Sequence, residues 1–271
     1  MGNFELISFT CTDELAAHVA GAWLDEIESA NRAGKAHCVA LSGGRITQKF
    51  FAATVEQAKR RAVSFARVHF FWADERCVPP TNPESNFKLA NEVLLAPLQI
   101  AANQIHRIRA EEPPDKAAAL AAAEIIRIIP TASPPPRRGE GRGEEAVFSN
   151  SKPLPPLGQG EGVDSLPVLD LIFLGMGEDG HVASLFPEAP SEILNRTAPF
   201  LSIKDSPKSP PGRISLSYAA IAAAKQVWAL VSGAGKAAAL RASLRPGGQT
   251  PLARVMRSRS RTKIFSDIRL D

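Results

Sequence analysis

Four short polar segments of this sequence each follow an apolar run and contain residue types that bind anions or move protons. In chain order they are SGGR (42–45), ADERC (73–77), GMGEDGH (175–181) and SGAGK (232–236). Ligands of open α/β sheets bind outside the carboxyl ends of the strands. The four segments are therefore predicted to meet at one sheet edge and to form a single site.

The segment at 175–181 carries the candidate proton-transfer group. His181 follows a glycine-rich turn and is predicted to begin a helix, with its imidazole exposed at the sheet edge. Histidine titrates near pH ~6.5, so its neutral ring can accept a proton from water at neutral pH. Asp179 could orient the ring or fix its tautomer, whereas Glu178 is expected to be solvated. The alternative is a histidine that only caps a helix.

Two further segments offer groups for an anion. Backbone amides of Ser42, Gly43 and Gly44, at the start of a helix, attract phosphate. The motif is neither a P-loop nor a dinucleotide fingerprint, and a plain β–α turn explains it equally well. The guanidinium of Arg76 suits phosphate or carboxylate. On this segment alone, an internal ion pair between Asp74 and Arg76 is the slightly favoured interpretation.

Asp74 and four further side chains also belong to the predicted substrate-binding set. Arg45 completes the first segment, and Asn86 begins the helix after the second, where it could orient the loop or contact a hydroxyl. Lys236 falls on the first turn of a helix, where its charge opposes the helix dipole and a bound anion would remove the conflict. Arg213 lies where a loop enters the next element.

Metal and cofactor chemistry is not predicted. The histidines are dispersed along the chain at His18, His37, His69, His106 and His181. A structural or catalytic metal site needs several converging ligands. The three cysteines lack CxxC spacing, so they are expected to be buried, unpaired thiols. No metal and no organic cofactor is therefore expected.

Apolar runs alternate with Ala-rich amphipathic stretches, which predicts an α/β fold of repeated βα units around a mostly parallel sheet. Strands are predicted at 4–9, 37–41, 67–72, 104–108, 168–174, 198–203, 226–231 and 262–266. Helices are predicted at 12–32, 46–60, 85–96, 114–129, 180–186, 217–224 and 235–244, with Ser85 capping the third.

One segment, 131–163, does not fit this alternation. It holds six prolines and six glycines with balanced charge, which disfavours any regular element. We expect a disordered low-complexity insertion within a single domain spanning 1–271. A binding tail is the functional alternative.

Composition is that of an ordinary globular protein, with 44% hydrophobic and 22% charged residues in 271. The net charge is +4, but the one dense basic run, 254–263, lacks aromatic residues for base stacking and is expected to be a solvated face or helix end. Neither a membrane span nor a targeting segment is found in the sequence. These features predict a cytoplasmic protein that binds neither nucleic acid nor membrane.

The segments ALSGG, FFWADERCVPPTNPESN, LGMGEDGHVASLFP, PPGRISLS and VSGAGKAAAL resemble, in order and spacing, the signature segments of the 6-phosphogluconolactonase family. The resemblance covers nearly the whole chain outside 131–163. It departs after SGG, where Arg45-Ile46-Thr47 replaces a residue followed by Thr-Pro or a similar pair.

The resemblance implies a Rossmann-like fold with helices on both faces of the sheet, shared with sugar-phosphate isomerases. It also implies hydrolysis of 6-phospho-D-glucono-1,5-lactone to 6-phospho-D-gluconate in the pentose phosphate pathway, without a metal or cofactor. His181 would activate water with Asp179 beside it. The phosphate and hydroxyls would be held by Ser42, Gly43, Gly44, Arg76, Arg213 and Lys236. The expected protein is a monomer or weak dimer.

Two rival functions are consistent with such a pocket. One is glucosamine-6-phosphate deamination and isomerisation, which needs a carboxylate to move a proton between carbons. The other is a sugar-phosphate sensor without catalysis. The segments Asp74-Glu75-Arg76 and GHVASLFP (180–187) favour the lactonase, and no helix-turn-helix segment is evident at either end.

Overall fold

A computed structural model describes residues 4–129, 166–190, 193 and 195–270. The predicted insertion at 131–163 lies outside the described residues, so its order and its place within a single domain stay predictions. In the described parts, no helix is both long and apolar enough to cross a membrane.

The centre of the fold is a six-stranded parallel sheet. Its strands are β1 (Phe4–Ser8), β2 (His37–Leu41), β3 (Val68–Trp72), β5 (Leu171–Gly175), β8 (Gln226–Val231) and β9 (Thr262–Ser266), in the order β1-β9-β8-β5-β2-β3. Every residue of β2 is buried. Since successive side chains of a strand point to opposite faces, both faces of the sheet are covered at this strand.

A second, three-stranded antiparallel sheet flanks the first. Its strands are β4 (Asp74–Arg76), β6 (Phe200–Ile203) and β7 (Arg213–Leu216), in the order β4-β7-β6. Only β6 was predicted from the sequence. The strand β4 is three charged residues long, and such a segment has no apolar alternation by which to recognise it.

Seven α-helices connect the strands in the described ranges. They are α1 (Thr12–Arg32), α2 (Arg45–Arg61), α3 (Asn86–Ala90, continued by a π-helical turn at Asn91–Leu95), α4 (Pro114–Ile128), α5 (Tyr218–Ala223), α6 (Ala237–Leu244) and α7 (Pro251–Arg257). Ser85 caps α3 by accepting a hydrogen bond from the amide of Lys88, which confirms the predicted cap. Helix α2 begins at Arg45 without a proline in its first turn.

Two predicted elements are wrong. The strand expected at 104–108 is a 3-10 turn, Ala102–Gln104, followed by one bridge from Ile105 to Phe70. The helix expected at 180–186 does not form. Gly180 and Ala183 have left-handed φ values of 84° and 49°, which an α-helix cannot contain. Val182 instead makes isolated bridges, so the chain folds back on itself after the glycine turn.

The basic run at 254–263 was expected to be a solvated face or helix end. Residues 254 and 257 do belong to the last turn of α7, which was not predicted. Arg259, however, is buried and donates to the backbone carbonyls of Ile221, Ala222 and Lys225. This guanidinium therefore satisfies the carboxyl end of α5, and the solvated-face prediction is wrong for that residue.

Candidate active site

A pocket of about 520 Å³, including space open to solvent, lies where the parallel strands end. Nine of the residues selected from the sequence line it: Ser42, Gly43, Gly44, Asp74, Arg76, Asn86, His181, Arg213 and Lys236. Arg45 is exposed and is not among the lining residues, and neither is Asp179, which contacts the ring of His181. The fold therefore brings the four polar segments to one place.

The turn between β2 and α2 forms one wall of the pocket. The hydroxyl of Ser42 donates to the carbonyl of Phe173 at 2.8 Å, so it is used to join β2 to its neighbour β5. A methyl group on Gly43 would lie 1.9 Å from Oδ1 of Asn86. Only glycine permits this close approach, and Gly44, with φ 116°, then turns the chain into the helix.

The two acidic residues of β4, Asp74 and Glu75, are buried and accept hydrogen bonds through both carboxylate oxygens. Glu75 accepts from the backbone amides of Arg76 (2.7 Å), Asn86 (2.8 Å) and Phe87 (2.8 Å), and from the hydroxyl of Ser85 (3.0 Å). Burial nevertheless raises its pKa. This carboxylate therefore serves to fix the loop that follows β4, not to react.

Asp74 is also held in place, although it lines the pocket. Its Oδ2 accepts from the hydroxyl of Ser184 at 2.8 Å, and its Oδ1 from the side-chain amide of Asn86 at 3.3 Å. The internal ion pair with Arg76, slightly favoured from this segment alone, is not found. Arg76 instead donates to the carbonyl of Glu84 (2.6 Å) and pairs with its carboxylate at 3.6 Å.

Arg76 and Arg213 are direct cross-strand partners in the pairing of β4 with β7. Like charges opposite one another destabilise an antiparallel pair. Burial, and then the charge of Arg76, lowers the pKa of Arg213. Among the described residues Nε of Arg76 is buried without a hydrogen-bond partner. The like-charge pairing favours an anion at this part of the pocket.

Arg213 donates three hydrogen bonds to carbonyl groups of the loop that precedes it. Its Nε donates to the carbonyl of Pro210 (2.8 Å), and its Nη2 to those of Ser209 (3.0 Å) and Lys208 (3.3 Å). No residue in the described part of the chain bonds its Nη1, which therefore remains for a ligand. The side chain therefore holds the loop before β7 as well as lining the pocket.

Lys236 reaches the pocket from a 3-10 turn, Ala234–Lys236, that precedes α6. Burial lowers its pKa, and the charge of Arg45 acts in the same direction. Within the described ranges no acidic side chain forms an ion pair with its ammonium group. A partly buried cation without a counterion favours an anionic ligand.

The turn that carries Lys236 is fixed by the partly buried carboxylate of Asp267. Asp267, just after β9, accepts from the hydroxyls of Thr12 (2.6 Å) and Ser232 (2.7 Å) and from the amide of Gly233 (3.2 Å). These bonds tie the turn to the end of the parallel sheet. Sequence reasoning did not select Asp267, because it follows the last strand without a glycine-rich turn.

His181 and Asp179 form a hydrogen-bonded pair, with Nδ1 and Oδ1 separated by 2.5 Å. The ring packs on Phe186, and its side chain is 19% exposed. Burial lowers the pKa of His181, although the hydrogen bond and charge of Asp179 oppose this. Burial of the ring thus favours the neutral imidazole. Because an ionised carboxylate can only accept, Nδ1 carries the hydrogen and Nε2 the lone pair.

Sequence reasoning missed one charged residue beside this pair. The ammonium group of Lys208 lies 3.4 Å from Oδ2 of Asp179 and 3.4 Å from Nδ1 of His181. Lys208 belongs to the loop between β6 and β7, in the antiparallel sheet that the sequence pattern did not reveal. Its proline-flanked segment, SPKSPP (206–211), gave no sign of where that loop would lie.

The arrangement can bind an anion at one end and activate water at the other. Arg76, Arg213 and Lys236 supply positive charge, and Nε2 of His181 supplies a base. In the described parts of the chain, no group of three or more His, Cys, Asp or Glu side chains could hold a metal ion.

Comparison with known proteins gives consistent matches. A family model described as glucosamine-6-phosphate isomerases/6-phosphogluconolactonase matches residues 11–264. The 6-phosphogluconolactonase of Mycobacterium tuberculosis is 35% identical over 196 residues, which cover 72% of this chain and 68% of that protein. The 6-phosphogluconolactonase of Streptomyces coelicolor is 33% identical over 253 residues, covering 92% and 87%.

The fold has solved counterparts. The crystal structure of a devB protein superposes with a TM-score of 0.75 at 26% sequence identity, covering 97% of this chain and 96% of that one. The mostly parallel α/β architecture predicted from the sequence is therefore confirmed.

Proposed function

This chain belongs to the family of glucosamine-6-phosphate isomerases and 6-phosphogluconolactonases, and from this we propose that it hydrolyses 6-phospho-D-glucono-1,5-lactone to 6-phospho-D-gluconate. The observation that carries the proposal is the 2.5 Å bond between Asp179 and His181 in a pocket that also presents three cations. The similarity to relatives named as lactonases supports it.

In the proposed reaction Nε2 of His181 removes a proton from water as the water oxygen attacks the lactone carbonyl carbon. The tetrahedral intermediate then collapses, the bond from that carbon to the ring oxygen breaks, and the imidazolium returns the proton to the ring oxygen. The product is the open-chain acid, which ionises in solution. Asp179 stabilises the transient imidazolium and holds the ring by Nδ1.

The phosphate group is assigned to the cationic end of the pocket. Among the described residues Arg76 and Arg213 are like charges on paired strands, Nη1 of Arg213 has no hydrogen-bond partner, and Lys236 has no counterion. A doubly charged phosphate would relieve the repulsion between the paired arginines. Fixing this end orients the carbonyl toward His181, an advantage that substrate clamps provide.

The deaminase alternative is less well supported. Its chemistry needs a carboxylate that can accept a proton from carbon. Both oxygens of Asp74 and of Glu75 already accept hydrogen bonds within the protein. The curated relatives described above are named for lactone hydrolysis.

A coupled assay tests the function directly. Glucose-6-phosphate dehydrogenase would generate the lactone, and 6-phosphogluconate formation would be followed with and without this protein. We expect formation well above the spontaneous rate. Ammonia release from glucosamine-6-phosphate would indicate the deaminase, and binding of 6-phosphogluconate without turnover would indicate a sensor.

Replacing Lys236 with methionine is expected to raise KM on the order of 10- to 100-fold while kcat changes little. A charge-assisted hydrogen bond to a group remote from the reacting carbonyl stabilises ground and transition states alike. Lys225→Met is the matched control, because Lys225 directly precedes β8, at the amino end of that strand, and pairs with Asp170. An unchanged KM in Lys236→Met would remove Lys236 from the phosphate site.

Location and assembly remain predictions from the sequence. We infer a cytoplasmic protein that acts as a monomer or weak dimer on a small phosphorylated lactone, without nucleic acid or membrane partners.

A further inference from the structure

We propose that Lys208 is a positioning residue which, through Asp179, decides which nitrogen of His181 carries the proton. The inference rests on the proposed function, since it concerns the base of that reaction. The side chains of Lys208, Asp179 and His181 lie together beside the pocket, and the loop between β6 and β7 carries Lys208 to this place.

The backbone of Lys208 is fixed on both sides. Its amide donates to the hydroxyl of Ser206 (3.2 Å), which in turn donates to the carbonyl of Lys208 (3.1 Å). That carbonyl also accepts from Nη2 of Arg213 (3.3 Å). The buried guanidinium thus anchors the loop, and the long side chain of Lys208 extends from a defined point to Asp179.

The ammonium group of Lys208 has two competing acceptors at equal distance. It lies 3.4 Å from Oδ2 of Asp179 and 3.4 Å from Nδ1 of His181. An ammonium ion only donates, so a bond to Nδ1 would require the lone pair there and would place the hydrogen on Nε2. A histidine in that tautomer has no base directed at water.

Asp179 favours the tautomer of His181 that carries the hydrogen on Nδ1. Its Oδ1 accepts the Nδ1 hydrogen at 2.5 Å, and its Oδ2 offers Lys208 another acceptor. Lys208 in turn fixes the second carboxylate oxygen and so the orientation of the first. Without Asp179, the same lysine would turn to Nδ1 and stabilise the unproductive tautomer.

Among the residues that the structure describes, the charged groups that act on His181 are Asp179, Lys208 and Asp74. Burial lowers the pKa of His181 most, the two carboxylates raise it, and Lys208 lowers it. Removing Lys208 should therefore raise this pKa, so that the neutral base is lost at a higher pH. The acid limb of the kcat/KM profile should move toward higher pH in Lys208→Met and stay in place in Lys208→Arg.

The decisive kinetic experiment is a double-mutant cycle. Lys208→Met should lower kcat/KM at neutral pH by about two- to five-fold, the size expected of a half-exposed ion pair. In an Asp179→Ala background the same change should restore activity or leave it unchanged, because the competing donor is gone. Losses that simply multiply would overturn the proposal. Lys204→Met, which alters an exposed lysine paired with Asp115 near the same loop, is the control.

Nitrogen-15 NMR of labelled histidine gives a readout that does not need the lactone. We expect a protonated Nδ1 in the unmodified protein, a protonated Nε2 in Asp179→Ala, and partial return in Asp179→Ala/Lys208→Met. An Asp179→Ala spectrum that keeps the hydrogen on Nδ1 would contradict the role of Lys208. Failure of the proposed function would appear separately, as absence of lactone hydrolysis by the unmodified protein.

Discussion

His181→Asn is expected to lower kcat by about 10²- to 10⁴-fold with little change in KM, the usual contribution of a positioned general base. Asparagine can still donate a hydrogen bond to Asp179, but it has no nitrogen that accepts a proton from water. Because the cationic residues are untouched, substrate binding should persist. The measurement is steady-state kinetics in the coupled lactone assay.

His18→Asn provides the matched control for this substitution. His18 is an exposed residue of α1 whose ring contacts Phe9, and it does not line the pocket. Its replacement should leave kcat unchanged. Near-normal turnover by His181→Asn would exclude His181 as the base.

Gly177→Ala is expected to lower kcat on the order of 10²-fold while the protein stays folded. A methyl group at this position would lie 2.1 Å from Cε1 and Nδ1 of His181 and 2.5 Å from Oδ1 of Asp179. Those atoms must move, and a displacement of about 1 Å at a reacting group can have an effect of this size. The backbone bond from the amide of Gly177 to the carbonyl of His181 (2.9 Å) can survive.

Gly21→Ala distinguishes this effect from a general cost of adding a methyl group. Gly21 lies in α1, where the new methyl would meet only the flexible end of Gln57 at 3.2 Å. That variant should keep full kcat, and thermal melting should show that both proteins fold. Full activity in Gly177→Ala would mean that the pair does not need its present geometry.

Sequence patterns located the reacting residues better than they described their surroundings. His181 was identified from the glycine turn before it, but the helix expected there is absent because Gly180 and Ala183 are left-handed. Long apolar runs gave the parallel strands, since a strand buried on both faces carries its own signal. The three-residue β4 carries none, so the antiparallel sheet was largely missed.

The roles of individual charges depend on distances that no local pattern encodes. Arg213 was expected to bind substrate, yet three of its contacts are loop carbonyls. Lys208 lies 27 residues from His181 along the chain and meets it only because β6 and β7 pair beside the glycine turn. The spacing of residues along the chain could suggest neither the loop contacts of Arg213 nor the contact of Lys208 with His181.

The pairing of Arg76 with Arg213 in adjacent strands links the stability of the protein to ligand binding. Like charges on paired strands oppose the pairing of β4 with β7, and a bound dianion would offset this repulsion. Ligand binding should therefore raise the melting temperature of the protein.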